Sequence, residues 1–342
     1  MSAARKTGKP GKAPPAASTA PARAAPASVR QLLVGPEHAG QRLDNYLLRL
    51  AKGVPKSHVY RIVRSGEVRV NKGRVAVDYR LKDGDAVRVP PLRTAAVPAA
   101  ARGTAPALMP PILYEDDDLI AVDKPAGVAA HGGSGVAHGV IERVRAARPQ
   151  LGFIELAHRL DRETSGILLL AKSRRALLSL HEQMREGRVD KRYFVLVAGA
   201  WVNDRQHVRL ALTKYVNRHG ERRVAIDPAG MQSHTVFNLL QRFEGFALLE
   251  ADLRTGRTHQ IRVHLSHLGF PIVGDDKYGD FELNRRMAHG DYGARFGRMF
   301  LHAHAVRLAH PITGAPLALE ALLPEACEDL LQALGERHVA AV

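Results

Sequence analysis

Two stretches of this 342-residue chain cannot build a hydrophobic core, and they set what the rest can fold into. Residues 1–36 carry no acidic side chain, six Lys or Arg, and abundant Ala and Pro, so burial cannot offset the entropy of ordering them. Residues 93–111 are again rich in Ala, Pro and Gly, without periodicity, which suits an exposed semi-flexible connector. The expected organisation is a disordered basic tail over 1–36, a small module over 37–92, a linker over 93–111 and a larger domain over 112–335. No continuous apolar stretch follows the tail's early charges, so it does not read as a secretory signal.

In the small module, Leu43, Leu47 and Leu50 recur at helical spacing, as do Val59, Ile62 and Val63 before Gly66, a residue suited to end a helix. Glu67-Val68-Arg69-Val70 alternates like a half-buried strand, Asn71-Lys72-Gly73 reads as a turn, and Ala86-Val87-Arg88-Val89 reads as a further strand. On the second helix Lys56, Tyr60 and Arg64 are spaced by four, with Arg61 beside them, which puts positive charge next to an aromatic ring.

The larger domain alternates many short strands with few helices. Strands are expected at Leu119–Val122, Ile167–Ala171, Tyr193–Val197, Val208–Leu212, Thr235–Leu239 and Phe246–Glu250, with a turn at Lys124-Pro125-Ala126-Gly127 and a helix over 174–186. Strands in such numbers predict an α+β fold in which helices pack on a mixed or antiparallel sheet.

Charge then narrows the partner. Fifty Lys and Arg against 34 Asp and Glu give a formal +16, which favours a polyanion. No apolar run approaches the roughly 20 residues of a membrane span, so nucleic acid is the better choice than a membrane. Cys327 is the only cysteine, which excludes an intrachain disulfide and a thiolate cluster and fits a reducing cytoplasm. It reads as a small buried residue.

Asp161 stands between Arg159 and Arg162, ahead of Thr164-Ser165-Gly166 and an apolar strand. Guanidinium neighbours favour the ionised carboxylate, as a nucleophile or general base requires. An aspartate that shapes a surface turn and pairs with arginine is the more common arrangement on these residues alone. A second cluster, Thr255-Gly256-Arg257-Thr258-His259-Gln260-Ile261-Arg262, precedes apolar residues at helical spacing. Thr255–Thr258 is expected as the first turn of that helix, where free backbone donors with Arg257 and Arg262 would bind an anion.

Gln41-Arg42-Leu43-Asp44, Lys56-Ser57-His58-Val59-Tyr60-Arg61 and Gly66–Asn71 together resemble an S4 domain, a small RNA-binding module. His158–Gly166, Lys191-Arg192-Tyr193 and Thr255–Arg262, in this order, resemble the RluA-type pseudouridine synthases, and Pro271–Asp275 with Lys277-Tyr278-Gly279 extend the likeness. The resemblance covers about residues 38–335. It implies a catalytic aspartate at Asp161, which attacks a uridine so that the base leaves C1′, rotates and rejoins through C5. Whether Asp161 first bonds to the sugar or to the base, or removes a sugar proton, is open at this point. The likeness further implies that Tyr193 stacks on the base and is a candidate for proton transfer at C5, that Arg262 pairs with the aspartate, that Arg159 enters the RNA helix when the base is extruded, and that Leu253 walls the pocket. Arg42, Lys56, Tyr60, Arg61, Arg64 and Lys72 of the S4-like module, with Arg257, complete the expected RNA contacts.

Within the family, Lys52–Ser57, Pro90-Pro91 and His131–Gly135 resemble the members that act on the large ribosomal subunit, a likeness that implies large-subunit (23S) ribosomal RNA as substrate. The partners expected are that RNA and ribosome assembly intermediates, with the protein acting as a cytoplasmic monomer. No cofactor or metal is expected. His131-Gly132-Gly133-Ser134-Gly135 lacks the Gly-Lys-Ser/Thr ending of a nucleotide loop, and neither His259, His264 and His267 nor His302 and His304 have a metal-site pattern. A non-catalytic RNA-binding factor and an N-glycosylase that releases uracil are the competing functions.

Overall fold

In the computed structural model, which describes residues 29–50, 54–91, 108–132, 138–218 and 220–340, the chain divides into two compact units, Met1–Val97 and Pro98–Val342. Most of the expected tail and linker, and residues 52–53 and 133–135 of the quoted motifs, lie outside the described residues.

The first unit contains β1 (Arg30–Leu33), a 3-10 turn (Pro36–His38), α1 (Leu43–Leu50), α2 (Lys56–Arg64), β2 (Arg69–Val70) and β3 (Ala86–Val89). The three strands form an antiparallel sheet in the order β1-β3-β2. Leu43, Leu47, Val59, Ile62 and Val63, spaced along one face of each helix, are buried together with Val87 and Val89. Beyond α2, Gly66 takes φ +76°, the left-handed turn that glycine allows at a helix end.

One expectation fails here. Residues 30–33, placed in the disordered tail, are a strand whose partners run from Arg30 with Val89 to Leu33 with Ala86. The strand is held by backbone hydrogen bonds while its side chains are mostly exposed, so composition carries no sign of it. Val34, which follows, is buried in the unit's core.

The second unit runs through β4 (Ile112–Glu115), β5 (Leu119–Lys124), α3 (Val140–Ala147), β6 (Glu155–Leu156), β7 (Ser165–Ala171), α4 (Arg174–Arg185), β8 (Asp190–Ala198), β9 (Arg205–Val216), β10 (Arg222–Ile226), β11 (Met231–Phe243), β12 (Phe246–Leu253), α5 (Gln260–His267), α6 (Phe281–His289), β13 (Leu301–Ala309), β14 (Pro316–Glu320) and α7 (Glu325–Ala340). Eleven strands make one sheet in the order β10-β9-β11-β12-β8-β13-β7-β5-β4, with β14 on β13 and β6 on β7. β7 and β13 run parallel and the other pairs antiparallel, so the α+β fold with a mixed sheet is as expected.

β7 is buried at every residue. Its alternating side chains explain why both sheet faces need cover: Leu168 and Leu170 join a cluster with Val140, Val144, Ile261 and Leu265 from α3 and α5, whereas Ile167 and Leu169 join Ala176, Leu177 and Leu180 of α4. Cys327, on α7, is buried in a cluster with Leu196 of β8, Phe246 of β12 and Met287 of α6, and burial pushes its thiol up to about 11.

The parallel seam depends on Gly166. At φ +106° it brings β7 so close to β13 that a Cβ would lie 2.3 Å from the carbonyl oxygen of Ala303. Ser165 and Gly166 therefore align with His302 and Ala303.

Candidate active site

The loop between β6 and β7 presents Asp161 at the mouth of that seam. Thr164 donates its backbone N–H to the Asp161 carbonyl (3.2 Å), closing a tight turn before the chain enters β7. Beneath it lies Lys124, fully buried at the end of β5, whose Nζ donates to the carbonyls of Pro125 (2.8 Å), Val128 (2.8 Å) and Arg162 (3.0 Å). One amine thus ties the Lys124–Gly127 turn to the Asp161 loop, with three acceptors for its three N–H groups. Burial pushes this lysine down to about 7. From the other side Arg298 Nη2 donates to Ser165 Oγ (2.6 Å), which also meets His302 Nδ1 (2.8 Å).

The charge partner of Asp161 is not the one its neighbours suggested. Arg162 pairs with Glu163 at 2.7 Å and Arg159 is exposed. Instead Arg262, from α5, brings Nη1 to 3.3 Å from Asp161 Oδ2. Its other edge is held by Asp275, with Nε to Oδ2 at 2.7 Å and Nη2 to Oδ1 at 2.6 Å, and Nη2 also reaches Asp276 Oδ1 at 3.0 Å. Arg262 is 3% exposed and Asp275 fully buried. Burial works against both charges, but the shared hydrogen bonds and attraction outweigh it, raising Arg262 and lowering Asp275. Gly274, the residue before Asp275, lets the chain pass close to the 298–299 backbone: at φ +77° a Cβ would fall 1.8 Å from the Arg298 carbonyl oxygen.

The recess around Asp161 is walled by Tyr193 of β8, Leu253 at the end of β12, Ile261 of α5 and Leu301 of β13. Tyr193 lies in register between Ala251 and Ala303, two small residues that leave space for its ring. Burial, helped by the Asp161 charge, pushes the Tyr193 phenol far above its ordinary range.

The start of α5 differs from expectation. The helix begins at Gln260, so Thr255–Thr258 is a loop rather than its first turn. The Gln260 side chain folds back to organise that loop, accepting from the Arg257 backbone N–H (3.0 Å) and Thr255 Oγ1 (2.8 Å) and donating to Thr235 Oγ1 (2.9 Å). His259, immediately before the helix, is left-handed at φ 52°, an unusual conformation for a non-glycine residue. This places His259 Nε2 at 3.7 Å from Asp161 Oδ2, while Nδ1 meets Tyr278 Oη at 2.8 Å. Tyr278 Oη also accepts from the Val224 backbone N–H, and its ring faces the Arg262 guanidinium at 5.1 Å. Burial lowers His259 despite the nearby carboxylate, which favours neutral imidazole.

Outside the recess a cleft of about 990 Å³ opens between α3, the end of α4 and the 256–258 loop. Arg159 and Arg257 are exposed on its rim, with Arg257 Nε donating to the Gln232 carbonyl. In the first unit, Lys56, Arg61 and Arg64 are exposed along α2 around Tyr60, with Lys56 Nζ 5.3 Å and Arg64 Cζ 5.9 Å from the ring centre. Arg42 and Tyr60 both bind Asp44, at 2.9 and 2.8 Å, so their polar ends also brace the module. Lys72 is exposed in its turn at φ 67°.

Lys124, His259, Asp275 and Tyr278 are the site residues that sequence reasoning gave no role. All four sat inside quoted motifs, but their roles depend on contacts across the fold. Of the histidines weighed as metal ligands, His259 meets Tyr278, His264 meets Ser233, His302 meets Ser165 and His304 meets Glu250.

Residues 118–267 match the family model described as RNA pseudouridylate synthase, and residues 41–87 match the S4 domain. The chain is 48% identical over 310 residues to ribosomal large subunit pseudouridine synthase C of Yersinia pestis, covering 90% of this chain and 96% of the relative. It is 47% identical over 312 residues to the protein of that name from Escherichia coli K12, covering 90% and 97%. Among solved structures, human RNA pseudouridylate synthase domain containing 4 aligns with a TM-score of 0.54 at 25% identity, over 66% of this chain and 92% of that one.

Proposed function

The chain belongs to the RNA pseudouridylate synthase family, and from that premise we propose that it converts uridines of large-subunit ribosomal RNA to pseudouridine with Asp161 as nucleophile. The observation that carries this reading is the clamp on Arg262. With Asp275 holding two of its nitrogens, Nη1 is aimed at Asp161 and keeps a carboxylate poised at the floor of a recess.

A uridine within a stem hides its glycosidic bond, so the nucleotide must be extruded at a cost of a few kcal/mol. Arg159, exposed at the rim, supplies the side chain that fills the gap, because guanidinium both stacks and binds phosphate. Tyr193 and Leu253 then sandwich the base. The raised phenol of Tyr193 supports stacking over service as a phenolate base. Attack by Asp161 on C1′ forms an ester as the C1′–N1 bond breaks; the base rotates, C5 bonds to C1′ and displaces the Asp161 carboxylate, and the C5 proton is lost while N1 gains one, so the product is an isomer and the aspartate is restored. Release of free uracil is less well supported, since a glycosylase needs a second carboxylate to activate water. Asp275 and Asp276, the carboxylates closing on the same arginine, are both engaged by it.

The same reading gives the S4-like module, expected over 37–92 and extended by β1, the task of gripping RNA through Arg42, Lys56, Tyr60, Arg61, Arg64 and Lys72, with Arg257 on the catalytic domain over 112–335. It also takes the enzyme to act as a cytoplasmic monomer on ribosome assembly intermediates. The test is Asp161→Asn, which preserves size and removes the nucleophile. Pseudouridine formation in large-subunit RNA is expected to be abolished with RNA affinity and melting temperature nearly unchanged; retained activity overturns the assignment.

A further inference from the structure

In the Lys191-Arg192-Tyr193 motif, Tyr193 lines the base recess and Arg192 pairs with Asp190 and Glu250, which leaves Lys191. It lies on the same face of β8 as Tyr193, about 7 Å along the strand, near enough for one nucleotide to touch both. Its amine opens onto the cleft beside Asp161. Among the described residues none accepts a hydrogen bond from it, and its neighbour Asp190 is engaged by Arg192 at 3.1 Å. Two other cations of this wall are occupied: Arg145 binds Glu155 and the Ile154 carbonyl, and Arg162 binds Glu163. A part-buried, unpaired ammonium is costly in free protein, and burial accordingly lowers this lysine.

Gly256 faces it. This glycine does not take the left-handed conformation that would explain its presence. A Cβ there would meet only Lys191 Nζ, at 3.9 Å. The missing side chain thus leaves bare backbone and open space in front of an unpaired amine, in a cleft also lined by the exposed Arg159 and Arg257.

We infer that Lys191 and the Gly256 backbone form a seat for one RNA phosphodiester, the one adjoining the uridine delivered to Asp161. The inference rests on the proposed RNA substrate, and it assigns Lys191 to binding rather than to the bond-making steps. The anion supplies the partner that the protein withholds from Lys191, so the cost of its burial is recovered only when substrate is in place.

The test uses the full chain and a large-subunit RNA fragment with a single neutral methylphosphonate linkage placed 5′ or 3′ of the target uridine. Equilibrium affinity is measured for wild type and Lys191→Met. One linkage is expected to weaken wild-type binding about 10- to 100-fold, the range for a charge-assisted hydrogen bond. Lys191→Met should show a similar loss on natural RNA and no further loss on the neutral linkage, with Lys191→Arg recovering part of the affinity. Gly256→Ala, whose methyl meets only ordinary contact, should weaken RNA binding without changing the melting temperature. The inference is overturned if wild type is indifferent to both linkages, or if neutralisation penalises Lys191→Met as heavily as wild type. Since the coupling is read in affinity, an RNA that shows it yet is never converted would refute the proposed reaction and leave the phosphate seat standing.

Discussion

Arg262 and Asp275 form a bidentate pair, at 2.7 and 2.6 Å, that fixes the direction in which Arg262 offers its remaining nitrogen to Asp161. The nucleophile is thereby oriented by a carboxylate that does not itself border the recess. Asp275→Ala leaves a buried guanidinium without its main partner, which costs about 3–5 kcal/mol in such pairs. We expect a lower urea midpoint and a fall in kcat together; a variant with full stability and full activity would show that Asp275 is not the anchor.

Arg262→Lys keeps the charge but cannot bind Asp275 with two nitrogens and Asp161 with a third. Turnover at saturating RNA should drop by at least about tenfold, equivalent to roughly 1.4 kcal/mol. Single-turnover kinetics separates this from weakened binding, which should be little changed.

His259 couples backbone strain to site geometry. Replacement by glycine removes a left-handed residue's penalty of about 1 kcal/mol while losing the Tyr278 hydrogen bond, and these roughly cancel. Melting temperature should therefore stay near wild type while kcat falls. Unchanged kcat would mean that the imidazole 3.7 Å from Asp161 has no part in the reaction.

Two buried histidines give stability a defined pH dependence. Burial, the largest cause for each, pushes His264 and His302 down to about 4. In the unfolded chain they bind protons near pH 6.5, so the unfolded state holds more protons between about 6.5 and 4. Their contribution is fully present above about pH 6.5 and is lost as pH falls through about 4, on the order of 3 kcal/mol each. Thermal melts from pH 7 to 4 should show the decline, and His302→Gln should flatten part of it even if its own starting stability is lower.

Removing charge from α2 addresses the S4-like module. The triple change Lys56→Gln, Arg61→Gln and Arg64→Gln should weaken RNA binding and lower the slope of log affinity against log salt by about 2–3, one unit or slightly less per phosphate contact. Turnover of bound RNA should be nearly preserved. An equal loss of kcat would contradict a purely binding role.

The sequence determined the elements whose own residues carry a period or a motif. Leu43, Leu47, Val59 and Ile62 specify two helices because each must bury one face, and the continuous Ile167–Ala171 run specifies a strand covered on both faces. Motif order was enough to place Asp161, Tyr193 and Arg262 in one family pattern. β1 left no trace, because an edge strand with exposed side chains is selected by a partner's free backbone groups rather than by its own composition.

Only the tertiary structure decided how the nucleophile is held. The local residues put Arg159 and Arg162 beside Asp161, and only the family likeness pointed to Arg262; in the fold Arg162 turns to Glu163 and the guanidinium comes from 101 residues away. Lys124, His259 and Asp275 act through contacts that depend on strand register, a left-handed backbone and the close approach allowed by Gly166 and Gly274. Local sequence fixes which groups can carry charge, but the free energy of a buried charge depends on what the fold brings within a few ångströms of it, and that is a property of the packed chain.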